Sequence, residues 1–184
     1  ARAALQLAEE LQDPRVMAEA FTAYPFVEFL LGRGVDQELL DRGISLEGHM
    51  EGEFHSHVLR ASFVVAQLLK FTDRLDEARE KFNELLRDAA AHGVESTLPQ
   101  IQYHLAELEC WAGNWDIALE HARESDAAAQ RHRWGAPLAS EGHFAVGLVE
   151  AHLGRAGPAR LAAHEGLRVA EAAGEILLLI PNLS

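Results

Sequence analysis

The chain has 184 residues, of which 48% are hydrophobic and 24% are charged, a composition typical of a globular protein and not of a disordered one. Its 16 Lys and Arg against 29 Asp and Glu give a formal net charge of −13, which disfavours binding to nucleic-acid phosphates or to an anionic membrane. A single cysteine cannot form an internal disulfide and is compatible with a reducing compartment, so we expect a cytoplasmic protein. The apolar run ILLLI (176–180) is far shorter than the roughly 18–20 residues of a membrane-spanning helix.

A pattern of helix, small turn and second helix recurs along the chain with a period of 40–41 residues. In the three clearest copies an alanine follows the turn, at Ala78, Ala118 and Ala159, and a fainter copy begins at Leu30. Such a period predicts stacked helical hairpins, because one hairpin cannot bury its own apolar face. We therefore predict an all-α fold, a right-handed α–α superhelix of about ten helices that forms a single helical-repeat domain over 1–184.

The predicted elements follow each other in chain order. Residues 1–14 are the end of a preceding repeat, 15–53 the first repeat, 54–96 the second, 97–136 the third, 137–174 the fourth, and 175–184 the start of a truncated repeat. Pro25 lies inside a helical run of the first repeat and is expected to kink it. The chain starts without methionine in a helical pattern and ends after an apolar run, so we interpret it as a fragment whose cut ends can self-associate.

The third repeat shows how one hairpin is specified. Ser96 is a predicted N-cap, with Pro99 in the first helical turn, and Gly113 is expected to end the helix in a left-handed conformation. Asp73 stands at the corresponding place of the second repeat. The apolar stripe of the first helix comprises Ile101, Leu105 and Leu108. The buried stripe of the second helix is predicted to comprise Trp115, Ala118, Leu119 and Ala122.

Hairpins with alanines at these places resemble tetratricopeptide repeats, whose usual period is about 34 residues. The turn DRLDEAR (73–79) and the segment ESTLPQIQYHLAELECWAGNWDIALEHA (95–122) are similar to the helical-repeat region of large ATP-binding regulators of the LuxR family in actinobacteria. The resemblance covers about 15–174. It implies a sensing or scaffolding segment between an ATPase module and a C-terminal helix-turn-helix. The chain shows no phosphate-loop pattern and no basic recognition helix, so we expect no cofactor and no nucleic-acid binding.

Reactive residue types are interpreted as packing. Cys110 and His104 lie six residues apart, on nearly opposite sides of a helix, which does not suit a nucleophile and its base. The positions equivalent to Cys110 and Trp111 in other repeats hold residues of unrelated type, which favours a structural role. The carboxylates Glu107, Glu109 and Glu150 are expected at polar positions near the surface of a helix pair. No catalytic constellation is present, and we predict that the chain is not an enzyme.

The histidines give a weaker alternative. His49, His55 and His57 are close in sequence and leave a metal site open, although two-residue spacing does not place them on one helical face. His121 and His132 have acidic neighbours and are expected to be solvated. The sequence has no H-E-x-x-H pattern, no paired cysteines and no acidic loop of fixed spacing, so we expect no metal.

The best candidate surface follows from the resemblance, because the first helix of each tetratricopeptide pair lines a concave groove. Three of the residues carried onto this face, Phe63, Tyr103 and Phe144, are spaced by 40 and 41 residues and form a predicted aromatic ladder. The ladder either contacts a ligand or peptide, or packs between hairpins. The full predicted groove set is Arg60, Phe63, Gln67, Lys70, Gln100, Tyr103, Glu107, Trp111, Glu141, Phe144, Leu148 and His152.

Two functions remain open on these grounds. The first is a protein-interaction and regulatory domain of a transcriptional regulator, which mediates interdomain or protein–protein contacts. The second is a sensor that binds a small-molecule inducer in the concave groove. The repeat architecture favours the first, and the aromatic ladder favours the second.

Overall fold

The computed structural model describes residues 2–48, 60–132 and 136–174. This part of the chain is all-helical, as predicted, and contains nine α-helices and a short 3₁₀ turn at Glu95–Thr97. The helices are α1 (Arg2–Leu11), α2 (Pro14–Leu30), α3 (Gln37–Gly48), α4 (Ala61–Phe71), α5 (Leu75–His92), α6 (Leu98–Trp111), α7 (Trp115–His132), α8 (Ala136–His152) and α9 (Ala156–Ala173). Among the described residues, no helix combines the length and apolar composition needed to cross a bilayer. The chain forms two compact units, the N-terminal unit (1–85) and the C-terminal unit (86–184).

Four of the helix–helix turns share one geometry. Each contains a residue with positive φ, and the four residues are spaced by 41, 40 and 41: Gly32 (71°), Asp73 (63°), Gly113 (81°) and Gly154 (72°). The next residue donates its backbone N–H to the carbonyl five residues earlier, at 2.8–2.9 Å in all four turns. These bonds satisfy carbonyls at the helix end that have no partner within the helix. The left-handed conformation predicted for Gly113 is confirmed.

The N-terminal unit has α2 packed against α1, α3 and α4. The Asp13 carboxylate caps α2 by accepting from the backbone N–H of Arg15 at 2.9 Å and of Val16 at 3.3 Å. The helix continues through Pro25, which is buried. The fully buried rings include Phe21, Phe63 and Phe82.

A buried carboxylate also fixes the start of α4. Glu47, on α3, accepts from the backbone N–H of Ser62 at 3.0 Å and from its hydroxyl at 2.5 Å. Nε of Arg60 donates to the same carboxylate at 2.9 Å. Glu47 therefore caps α4 from a neighbouring helix, a role that the local sequence pattern does not reveal.

The C-terminal unit is a run of sequentially packed helices, in which α7 packs on α6 and α8, α8 packs on α9, and α6 also contacts α8. The predicted stripe of Ile101, Leu105 and Leu108 is fully buried, which confirms it. A glycine marks one close approach: a Cβ on Gly142 would lie 2.8 Å from the Cα of Asp126 on α7. A Cβ on Gly147 would lie 3.4 Å from the carbonyl oxygen of Ala159 on α9, which is an ordinary contact distance.

The start of α6 differs from the prediction. Ser96 was expected to cap this helix, but it lies within the 3₁₀ turn, and α6 begins at Leu98. The N-cap residue is Thr97, which makes no side-chain capping bond and instead donates its hydroxyl to the carbonyl of Val94 at 3.2 Å. The 3₁₀ turn tightens the approach to the helix, and the N-cap lies one residue later than predicted. Pro99 lies in the first turn, as expected.

Candidate functional site

Cys110 is a packing residue in the C-terminal unit. It is buried in a cluster with Ala106, Ala118, Leu119 and Val149. Burial raises the pKa of its thiol, and the negative charge of Glu107 adds to this effect. A thiol in these surroundings is neutral at physiological pH and is a poor nucleophile.

The surface location expected for Glu107, Glu109 and Glu150 is wrong, because all three are buried. Glu109 and Glu150 each accept a hydrogen bond from the side chain five residues later, across the turn that follows the helix. Glu109 accepts from Nδ2 of Asn114 at 2.7 Å, and Glu150 accepts from Nη1 of Arg155 at 3.2 Å. Nη2 of Arg123 lies 3.6 Å from the second oxygen of Glu150. The same i to i+5 pair occurs at Glu28 and Arg33, where the distance is 3.1 Å. The repeated spacing of five residues between a Glu and an Arg or Asn was the sequence feature from which these pairs could have been predicted.

In the N-terminal unit, the predicted groove residues are largely interior. Phe63 is 1% exposed, and its ring packs edge-on against Phe82 with centroids 5.9 Å apart. Lys70 is also fully buried, and its Nζ lies 4.8 Å from the centroid of the Phe71 ring. Arg60 pairs with Glu47, and Gln67 is half-buried. The Phe63 ring is therefore part of the core, which was the alternative left open for the aromatic ladder.

In the C-terminal unit, the other two ladder rings lie together on α6 and α8. The centroids of Tyr103 and Phe144 are 6.2 Å apart, and both side chains are half-buried. Burial raises the pKa of Tyr103, and the charge of Glu107, a hydrogen bond to Glu107 and the charge of Glu141 raise it further. Nδ1 of His104 lies 3.5 Å from Oε2 of Glu107. This part of α6 and α8 therefore combines two adjacent aromatic rings with the nearby carboxylates of Glu107 and Glu141.

The remaining predicted groove residues of this unit differ in exposure. Gln100 and Leu148 are half-buried, whereas Trp111 and His152 are exposed at the ends of α6 and α8. The structure therefore brings Tyr103, Phe144 and their acidic neighbours together, and it places Trp111 and His152 beside the helix-end turns.

Trp115 is not a core residue, contrary to expectation. Its side chain is 42% exposed, Trp111 is 47% exposed and Ile117 is 48% exposed. Trp115 is the first residue of α7. Ala118, about one turn later, is fully buried and is the first residue of the apolar face of this helix. The Trp115 ring lies 6.4 Å from the ring of His152, at an angle of 33°.

A groove lies beside these exposed rings, between the α6–α7 and α8–α9 turns. Its volume is about 310 Å³. We call it the turn groove; its lining residues are Gly113, Asn114, Trp115, Asp116, Ile117 and Leu153. Tryptophan and isoleucine side chains exposed around a concavity are typical of contact surfaces for other proteins.

The described residues include no group of three His, Cys, Asp or Glu side chains arranged to hold a metal ion. His49, His55 and His57, the proposed alternative metal ligands, lie outside the described residues, as does the side chain of His132. His121 is half-buried, not fully solvated, and its Nδ1 lies 2.6 Å from Oε1 of Gln102. Burial lowers the pKa of His121, against the opposing influence of nearby glutamates.

No family model, no curated protein and no solved structure matches this chain. The resemblance to tetratricopeptide repeats and to LuxR-family regulators therefore stays a prediction.

Proposed function

We propose that this chain is a non-catalytic protein-interaction module, and that the turn groove is its main contact surface. The observation that carries the proposal is the exposure of Trp111, Trp115 and Ile117 at one end of the C-terminal unit, beside a concave surface. Large aromatic side chains release much apolar surface from water when a partner covers them, and they lose few rotamers on binding.

The proposed architecture is a tetratricopeptide-like, right-handed superhelix, similar to the repeat region of LuxR-family regulators. Four turns with one geometry, spaced by 41, 40 and 41 residues, support this proposal, as does the packing of each helix of the C-terminal unit on its neighbours along the chain. In this role the module would transmit contacts between other domains of the regulator, or between the regulator and a partner protein in the cytoplasm.

Photo-crosslinking from the turn groove tests the proposal. A benzophenone amino acid replaces Ile117 in the groove, and in a matched control it replaces Leu161, an exposed apolar residue on α9. We expect the chain with the probe at residue 117 to crosslink to a protein of defined mass in cells that produce it, and the control to give no such product. Equal products from both positions, or none from either, would refute the proposal.

A second candidate function, the small-molecule sensor, is favoured by the half-buried Tyr103 and Phe144 rings and the carboxylates beside them. A ligand that stacks on these rings would favour one arrangement of α6 and α8, and this population shift would alter contacts elsewhere in the regulator. Native mass spectrometry of the purified chain tests for a bound species of defined small mass. The Tyr103→Ala variant is then expected to lose that species with unchanged helicity, while Tyr24→Ala, at the chain's other tyrosine, retains it.

A further inference from the structure

We infer that a second groove, in the N-terminal unit, binds a small amphiphilic carboxylate, a molecule with one carboxylate group and a short apolar chain. The groove has a volume of about 360 Å³, and we call it the α1–α2 groove. Its lining residues are Arg2, Tyr24, Val27, Glu28, Leu31 and Arg33. This site does not depend on the function proposed for the turn groove, because none of its residues contributes to that surface.

One face of α2 supplies the apolar part of the α1–α2 groove. Tyr24, Val27 and Leu31 are spaced by three and four residues, so they line one side of the helix and of its C-cap. Val27 is 36% exposed and Leu31 is 58% exposed, while Tyr24 is half-buried. An apolar chain that lies along these side chains would remove their hydrocarbon surface, and its own, from water.

The charged residues of the groove leave one positive charge uncompensated. The lining contains two guanidinium groups, those of Arg2 and Arg33, and one carboxylate, that of Glu28. Nη1 of Arg33 lies 3.1 Å and 3.4 Å from the two oxygens of Glu28, so these two charges offset each other. Arg2 is exposed and, among the described residues, has no carboxylate within ion-pair distance. A guanidinium group binds a carboxylate through two parallel N–H donors, so Arg2 suits the head group of the ligand.

The helix-end turn holds one edge of the groove in place. The backbone N–H of Arg33 donates to the carbonyl of Glu28 at 2.9 Å, so Arg33 is tied to Glu28 through both its backbone and its side chain. The Tyr24 hydroxyl makes no hydrogen bond to any described residue, which leaves it available as a further donor to the ligand. A groove that is ordered before binding loses less conformational entropy when the ligand enters.

Charge and volume together favour a small anion at this position. The turn groove is also partly apolar, but its charged lining residue is Asp116, which would repel a carboxylate. The net charge of −13 attracts cations to the chain as a whole and repels anions, so an anion that binds is selected by local residues. A volume of about 360 Å³ lies at the lower end of the range of about 300–1,000 Å³ that is typical of small-molecule sites.

An NMR titration of the full 184-residue chain with octanoate at neutral pH, up to about 10 mM, tests the inference. The methyl signals of Val27 and Leu31 report on the α1–α2 groove, and the indole N–H of Trp115 reports on the turn groove. We expect the two methyl signals to shift and saturate while the Trp115 signal stays in place. Octylammonium has the same chain and the opposite charge, and we expect it to bind at least about tenfold more weakly. Octylammonium binding as tight as that of octanoate would refute selection by Arg2.

Matched variants separate the charge from the apolar contact. Arg2→Gln removes the charge-assisted hydrogen bonds and is expected to weaken octanoate binding at least about tenfold, whereas Arg87→Gln, at an exposed arginine of α5, leaves it unchanged. Leu31→Ser is expected to weaken binding about threefold to tenfold. Leu30→Ser is its control, because the neighbouring Leu30 is 63% exposed and does not line the groove. Far-UV circular dichroism verifies that every variant is folded.

Two results would overturn the inference directly: octanoate that shifts neither methyl signal, or an Arg2→Gln variant that binds octanoate as the wild type does. Tyr103→Ala is expected to leave the affinity unchanged. Loss of octanoate binding in that variant would place the ligand at the rings considered for the small-molecule sensor, and would overturn the inference as well. Crosslinking from residue 117 is independent of each of these results, so the proposed function and this inference can fail separately.

Discussion

Gly142→Ala is expected to destabilise the chain, although alanine is the better helix former. In a helix interior this change alone would stabilise by about 0.5–1 kcal/mol. At Gly142 the new Cβ would lie 2.8 Å from Cα, 3.0 Å from N and 3.2 Å from Cβ of Asp126. Two of these atoms are backbone, so α7 and α8 must separate, and overpacking of this kind costs about 1–3 kcal/mol. We expect a net loss of about 1–2 kcal/mol in the free energy of unfolding.

Two other glycines of the same unit provide matched controls. A Cβ on Gly147 would meet its nearest neighbours at 3.4, 3.5 and 3.7 Å, which are ordinary contacts, and a Cβ on Gly157 would have no neighbour within 4 Å. Gly147→Ala is expected to change stability by about 0 to +1 kcal/mol, and Gly157→Ala, in the first turn of α9, by about +0.5 kcal/mol. Urea unfolding followed by far-UV circular dichroism measures all three variants. A Gly142→Ala variant as stable as Gly157→Ala would refute the close approach of α7 and α8.

Three further predictions concern the turns and one histidine. Glu150→Gln removes a buried carboxylate that pairs with Arg155 and is expected to lower the urea midpoint by the equivalent of about 1–2 kcal/mol, whereas Glu120→Gln on the exposed face of α7 leaves it unchanged. Asp73→Gly replaces a non-glycine residue at φ 63° and is expected to raise the free energy of unfolding by about 0 to 1 kcal/mol. Gly113→Ala places a side chain at φ 81° and is expected to lower it by about 1 kcal/mol. The reverse order of the two urea midpoints would contradict the shared turn geometry. The folded-state pKa of His121 lies below its usual value, so the unfolded chain protonates first and stability is lost as pH falls from about 6.5 towards the folded pKa. An NMR titration of its ring proton that gave a pKa at or above the usual value would contradict this, and His121→Gln should remove its part of the pH dependence.

Residues whose roles follow from local geometry could be predicted from the sequence. The stripe of Ile101, Leu105 and Leu108 is fixed by helical periodicity, and it is fully buried. Gly113 and Asp73 were predictable because glycine, and less often aspartate, adopts the left-handed conformation that ends a helix. Both arguments use neighbours within one helical turn.

Roles that depend on a second element were missed. Trp115 is a large apolar residue in a helix, but it is the first residue of α7, ahead of the buried Ala118, and is 42% exposed. Glu109 and Glu150 looked like surface residues because their partners stand across a turn, at a spacing that matches no helical face. Glu47 caps a helix that begins 14 residues later in the chain. Each of these positions is decided by tertiary packing, which outweighs residue type.

The buried carboxylates explain how exposed rings can form a defined contact surface. Asn114 lines the turn groove and is held by Glu109, and Leu153 lies between Glu150 and the Arg155 that this glutamate binds. Both turns that border the groove are therefore fixed by hydrogen bonds to side chains buried beneath them. A surface that is rigid before binding loses less conformational entropy when a partner covers it. The same turns that define the repeat thus preorganise the surface that we propose for partner binding.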